Sequence, residues 1–210
     1  VVNAHFAAMA SHDLFDTDVS PTDSWPYRWA NAIHIVTTEG FIRRMLLFEE
    51  GDLFFEREAA ESARNLRATD FLNPVEITAR PVDGGVEVTV ETRDQWTLEV
   101  GAQAGLAGTR SDVGLNFTET NFLGWGREIS IEYNSDDERS TWTYSLYDPN
   151  ILGTRWRARV EHEESSHGGG DLVRVQYPFY SLATPRSSGI ELLQNEDRDY
   201  LYSESEIRVY

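Results

Sequence analysis

The chain contains no cysteine, so neither a disulfide framework nor a thiolate metal site is open to it, and its redox compartment is left undetermined. It contains no lysine either: all 18 basic residues are arginine, set against 36 carboxylates, for a net charge of -18 and a pI near 4.5. Such a surface repels phosphate backbones and argues against nucleic acid as a partner. The lack of lysine bears on the codon usage or salinity of the source and not on function. No window approaches the ~18 consecutive apolar residues of a membrane helix, and mean hydropathy is -0.47. A transmembrane barrel stays open, because its strands need only alternate apolar residues over ~9–11 positions. The N-terminus, Val1 to Phe6, has neither the basic region nor the apolar core of a signal peptide, as expected if a signal was removed or the chain is a fragment.

What is present changes character near residue 98. Residues 1–30 read as a lead-in segment. His5, His12, Asp13, Asp16, Asp18 and Asp23 lie there, but Pro21 stands where a calcium loop needs glycine and no glutamate closes the ligand set. From residue 31 to 98 the pattern is α+β. Ala32–Thr37, with His34, reads as a short strand, and Phe41–Phe48 as a brief helix. Asp52 is placed to cap a longer helix from about Phe54 to Ala68, whose apolar stripe is Phe55, Ala59, Ala63 and Leu66. Its acidic residues lie early and its arginines late, as the helix dipole favours. Val75, Ile77 and Ala79 then alternate with Glu76, Thr78 and Arg80, Asp83-Gly84-Gly85 turns the chain, and Val86, Val88 and Val90 alternate in return. The order is β-α-α-β-β, and the long helix is the natural cover for the hairpin's valines.

Residues 99–210 show only strand signals. Ile129, Ile131 and Tyr133 alternate with polar neighbours, as do Trp142 and Tyr144, and Arg155, Arg157 and Arg159 alternate with Trp156, Ala158 and Val160. About eight strands are predicted, with turns at Asn121–Gly126, Asn134–Glu138, Asp148–Gly153, Ser165–Gly170 and Thr184–Gly189. Alternation alone fits a soluble sandwich as well as a lipid-facing barrel. Three details favour lipid. Aromatic residues gather near strand ends (Tyr144/Tyr147, Tyr177/Phe179/Tyr180 and Tyr200/Tyr202), three arginines on one face suit a water-filled lumen, and short and long turns alternate.

Phe41-Ile-Arg-Arg-Met-Leu-Leu-Phe-Glu-Glu-Gly-Asp52, Ser62–Leu72 and the hairpin ending Thr92–Leu98 resemble a POTRA domain. Glu119–Gly126, Tyr147–Gly153 and Tyr177–Leu182 resemble the early barrel strands and turns of the Omp85 superfamily (bacterial surface antigen D15, BamA/TamA-like proteins). The similarity covers about residues 31–190. It implies an α+β POTRA domain followed by antiparallel strands of a transmembrane β-barrel, truncated, since the family's barrel has about twice the strands available here. It further implies a bacterial outer-membrane protein with its POTRA domain in the periplasm. Its partners would be outer-membrane lipid, unfolded client outer-membrane or secreted proteins, and accessory assembly proteins. Clients would add a strand along Val75, Glu76, Ile77, Thr78, Ala79 and Arg80, and the first barrel strand, weakened by Gly101, Gly105 and Gly108, would form a receptive seam. Arg155, Arg157 and Arg159 would face the lumen, and Ile129, Ile131, Tyr133, Trp142 and Tyr144 the lipid.

No nucleophile elbow, phosphate loop or zinc-protease motif occurs, so no catalytic, metal or cofactor residue is nominated and the chain is read as a non-enzyme without cofactors. Glu161-His-Glu-Glu164 with His167 is the densest group of metal-type side chains but reads as a solvated strand end. Asn116-Phe-Thr118 matches a glycosylation acceptor inside a predicted strand, a chance match. The leading functional expectation is client insertion or translocation. The alternatives are a passive channel or two-partner secretion pore with arginine-set selectivity, and a soluble β-sandwich binding module.

Overall fold

A computed structural model describes residues 35–107, 110–198, 200–203 and 206–209. The lead-in segment with its histidines and aspartates, His34 and Gly108 lie outside the described residues. Helix α1 (Glu39–Met45) starts on Thr38, whose hydroxyl accepts from the Phe41 N–H at 3.3 Å. Helix α2 (Glu56–Arg67) carries Glu56 and Glu58 in its first turn and Arg64 and Arg67 in its last. Its cap differs from the expectation. Asp52 accepts from the Glu49 N–H at 2.8 Å and closes its own turn, and Phe55 takes the N-cap position without a side-chain bond. Phe55 is therefore exposed, and the buried face of α2 is Ala59, Ser62, Ala63 and Leu66. Ser62 is accommodated there because its hydroxyl accepts from Leu47 N–H at 2.9 Å and donates to the Glu58 carbonyl at 2.7 Å.

Strands β1 (Leu72–Val82) and β2 (Gly85–Asp94) form the expected antiparallel hairpin, closed by Asp83-Gly84, with Gly84 at φ 88°. Val75, Val88 and Val90 turn inward and pack with Phe41, Ile42, Leu46, Phe48, Leu66, Phe71 and Leu72. The expected opening strand of this unit is not formed over its described part: Ile35, Val36 and Thr37 are not in a sheet, and β1 and β2 stand as a two-stranded pair. Thr37 N–H instead donates to the Asp94 carboxylate at 2.9 Å. A side-chain acceptor at the end of β2 has replaced a backbone ladder.

Beyond Trp96 seven strands form one antiparallel meander in sequence order. They are β3 (Leu98–Ala107), β4 (Arg110–Phe122), β5 (Arg127–Ser135), β6 (Ser140–Asp148), β7 (Arg157–Ser165), β8 (Gly168–Tyr177) and β9 (Ser188–Asp197). A separate pair, β10 (Tyr200–Ser203) and β11 (Glu206–Val209), follows. The sheet is open, with β3 and β9 at its edges. The predicted Ser165–Gly170 turn shrinks to Ser166-His167, because Gly168, Gly169 and Gly170 belong to β8. There is no room for side chains on Gly168 or Gly169, where a Cβ would overlap the Glu196 or Glu163 carbonyl oxygen.

Every large apolar residue buried among the described residues lies between 41 and 90, in the helical module, and the seven-stranded sheet contributes none. A sandwich requires the inner faces of two sheets to pack together. This single sheet has no such partner among the described residues, which weakens the ground for the sandwich alternative. Because the module alone holds the apolar core, Leu66→Ala is expected to lower the module's stability by roughly 2–5 kcal/mol. The same change at exposed Leu152 should cost under about 0.5 kcal/mol. Urea unfolding of the two variants followed by circular dichroism measures the difference.

Candidate functional site

Residues directly opposite each other in an antiparallel ladder point to the same face, so the register sorts the sheet into two surfaces. One carries Val100, Leu115, Phe117, Ile129, Ile131, Tyr133, Trp142, Tyr144, Leu146, Val160, Val173, Ile190 and Leu192. None of these side chains is buried: Ile129 and Tyr133 are partly covered, and exposure rises to 60% at Leu192 and 73% at Val100. The other face carries Glu99, Asp112, Asn116, Glu128, Glu132, Arg157, Arg159, Glu161, Glu163, Arg174 and Glu191. All five residues expected to face lipid lie on the apolar face. A continuous apolar surface of this extent is foreign to a soluble monomer and fits hydrocarbon.

The apolar band has a slant. Its far edge is marked by Ser111, Ser135, Ser140, His162, Asp171 and Gln194 on β4 to β9, and its near edge by Glu119 on β4, Asp148 on β6 and Ser188 on β9. Carried across the register, the band moves toward the helical module by about one residue per strand. A slab of lipid has level boundaries. With about 3.3 Å per residue and about 4.8 Å between strands, the slant corresponds to strands tilted by about 35°, which matches transmembrane barrels. Between its polar limits the band is then about 20 Å tall, a little under the usual apolar belt of about 25 Å. His162 and Asp171, paired at 2.7 Å, sit on its far boundary, with His162 stacked on Tyr144. Tyr133, Trp142 and Tyr144 form an aromatic row at that side, and Trp156 lies 5.5 Å from Tyr177 at the other. Tyr147 and Tyr180, expected in such rows, do not belong there: Tyr147 is on the polar face under Arg159, and Tyr180 lies under Arg155.

On the polar face the arginines are engaged. Arg159 reaches Glu128 at 3.2 Å and Ser145 at 3.0 Å, Arg157 donates to Gln176 at 2.8 Å, and Arg174 pairs with Glu191. Arg155 departs from the expected row. It precedes β7, donates to the Leu46 carbonyl of the module and stacks 4.9 Å over Tyr180. Burial there pulls its guanidinium below the ordinary arginine value, opposed by Tyr180, Tyr177 and Glu49. The Glu161–Glu164 group is split by strand alternation, with Glu161 and Glu163 on one face and His162 and Glu164 on the other. No group of three metal-type ligands occurs among the described residues.

Gly101 and Gly105 lie on the polar face of β3, where a Cβ would overlap the side chains of Asn116 and Asp112. The free space above them is filled from β4. Along β1, Val75 and Ile77 turn to the core while Glu76, Thr78 and Arg80 point away, Arg80 paired with Glu87. The outer edge of β1 has no ladder partner among the described residues, though Arg67 reaches over from α2 to the Val75 carbonyl.

The module is joined to the near end of the sheet through Asn121–Gly126. The fully buried Asn121 donates to Thr37 Oγ1 at 2.8 Å and accepts from Gly126 N–H at 2.8 Å, while the Thr37 hydroxyl donates to buried Asp94. Thr38 N–H donates to the Gly124 carbonyl at 2.8 Å. Gly124 and Gly126 have φ of 73° and 66°, and a Cβ on them would overlap the Val36 carbonyl and the Phe41 ring. Further along, Asn65 donates to the Tyr180 carbonyl at 2.9 Å, and buried Glu61 accepts from Leu182 N–H. A cavity of about 410 Å³ remains between the module's Phe41, Met45 and Phe71 and the sheet's Glu128, Tyr147 and Arg157. Sequence reasoning missed this joint, although a polar Asn121 before two glycines is the signal that could have marked it.

One apolar face, one polar face and tilted antiparallel strands define a segment of a transmembrane-type β-barrel, unclosed among the described residues. Among solved structures the chain is similar to BamA from Haemophilus ducreyi lacking POTRA domains 1-3, with a TM-score of 0.50 and 15% sequence identity over 67% of this chain and 29% of that one. The likeness is one of fold, and the chain spans less than a third of that structure's length. No family model and no curated protein matches the chain.

Asn121→Ala leaves the buried Gly126 N–H without an acceptor, at a cost of about 1–3 kcal/mol. Faster amide hydrogen exchange at Gly126 and Thr38, with the α2 core still protected, is the expected result.

Proposed function

We propose that this chain is the junction of an Omp85-type outer-membrane protein, in which the helical module is the POTRA domain on the periplasmic side and β3–β9 are the opening strands of the barrel. The observation that carries this reading is the slanted apolar band, which becomes level only if the strands cross a slab at barrel tilt, on a sheet whose fold is like that of BamA. In this reading the protein inserts or translocates client polypeptides. The outer edge of β1, Val75 to Arg80, supplies main-chain donors and acceptors to an incoming strand. The open edge of β3, with Gly101 and Gly105, is the seam. Outer-membrane lipid, unfolded clients and accessory assembly proteins are the partners, and neither cofactor nor catalytic residue takes part. Reconstitution of the full-length protein in liposomes should accelerate insertion of a client barrel over empty liposomes, and equal rates would overturn the insertion role.

The membrane half has its own test. Ile131→Arg should cost about 2–4 kcal/mol of barrel stability and abolish heat-modifiable gel mobility, whereas Ser130→Arg on the opposite face should leave both nearly unchanged.

A conducting pore is the second reading, and the ion pairing on the polar face alters it. With Arg159 and Arg174 paired to Glu128 and Glu191 and Arg157 held by the neutral Gln176, the remaining charge is that of Glu99, Asp112, Glu132, Glu161 and Glu163 against the single positive charge of Arg157. A pore lined by this face selects cations, and Arg159→Ala should shift the reversal potential further toward cation preference.

A further inference from the structure

The β5–β6 turn at the far end of the sheet differs in kind from the turns at the module's end. At the far end Asp136-Asp137-Glu138-Arg139 joins β5 to β6, an exposed and charged connection. At the module's end the same type of turn occurs twice, as Asn121-Phe-Leu-Gly124 and Asn150-Ile-Leu-Gly153. In each the asparagine is buried, the glycine N–H donates to the asparagine carbonyl, and leucine and glycine both take left-handed backbone: φ is 58° and 73° in the first, 52° and 76° in the second. Asparagine or glycine adopts that conformation far more readily than leucine. Packing among the described residues does not explain the choice. Leu123 is 44% and Leu152 93% exposed, and in the third turn at this end Leu182 is 83% exposed. Trp125 stands beside Leu123, with the Arg127 guanidinium 4.8 Å over its ring.

These side chains lie beyond the near edge of the apolar band, Leu123 four residues past Glu119 and Leu152 four past Asp148, and Leu182 follows the end of β8 at Tyr177. Asn121, Gly124 and Gly153 lie against the module, at Thr37, Val36 and Arg44, while the side chains of Leu123, Leu152 and Leu182 are exposed. We propose that Leu123, Leu152 and Leu182, with Trp125, seat in the boundary between headgroups and acyl chains of the leaflet on the module's side, and so set the depth of the barrel and the height of the module above the membrane. The occupant is a phospholipid surface, chosen because the leucines lie just past the polar edge of the apolar band, at the level where headgroups begin, and because an apolar tip flanked by tryptophan and arginine suits that boundary. The inference rests on the barrel reading above.

The absence of cysteine makes single-site labelling direct. Ile131→Cys, Leu152→Cys and Glu138→Cys, each carrying a nitroxide, are reconstituted as the full chain in vesicles of phosphatidylethanolamine and phosphatidylglycerol. Collision with oxygen and with a water-soluble nickel chelate is then compared by electron paramagnetic resonance. The expected order of oxygen over nickel is 131 highest, 152 severalfold above 138, and 138 aqueous. A label at 152 as aqueous as that at 138, with 131 deep, overturns the leucine contact and leaves the barrel standing; this is also the outcome if a protein, not lipid, covers these turns. Aqueous signals at both 131 and 152 overturn the barrel reading and the inference together.

Discussion

The register of one antiparallel ladder governs this molecule. Seven strands pair in sequence order, and each pair places opposite residues on a common face, so the alternation written into each strand becomes two continuous surfaces. A slip of a single residue would exchange them, setting Ile131 beside Glu128 and Arg159 on the polar side. Backbone pairing alone does not choose the register. The bulge between Glu119 and Phe122, the Gly-rich start of β8 and the short Ser166-His167 turn hold it in place.

Two kinds of stability are joined in one chain. The helical module is held by an ordinary apolar core in which Leu66, Leu72, Val75 and Val88 are fully buried. The sheet has no core and relies on its ladder, on charged and polar pairs on one face, and on whatever solvent meets the other. The connection between them is polar, through Asp94, Thr37, Asn121 and Gly126, with Glu61, Asn65 and Arg155 as a second row. Buried groups paired in this way make such a connection specific in geometry. The Asn121–Gly126 turn is thus a fixed joint, where its sequence alone reads as a simple strand-to-strand connection.

The BamA likeness and the slant bear on different questions. A TM-score of 0.50 at 15% identity speaks to the path of the backbone. The slant speaks to the surroundings, because only side-chain chemistry can register where the medium changes. A backbone path like that of BamA and a slant that fits barrel tilt are separate grounds for the barrel fold.

Local periodicity determined much by itself: the β1–β2 hairpin from Asp83-Gly84, the span of α2 to within two residues, and the placement of Ile129, Ile131, Tyr133, Trp142 and Tyr144 on one apolar face. Each depends on neighbours two to four positions apart, which the chain carries wherever it folds. Tertiary structure alone decided the rest. Arg155 reads as a third lumen arginine by alternation, yet the strand begins two residues later and the module claims its side chain. Ile35–Thr37 has strand composition, but a carboxylate 57 residues away takes the Thr37 N–H. Glu161 to Glu164 look like one cluster and are parted by the pleat. The slant of the apolar band is invisible in any single strand, since it exists only in the offset between strands, and that offset is set by pairing across the sheet.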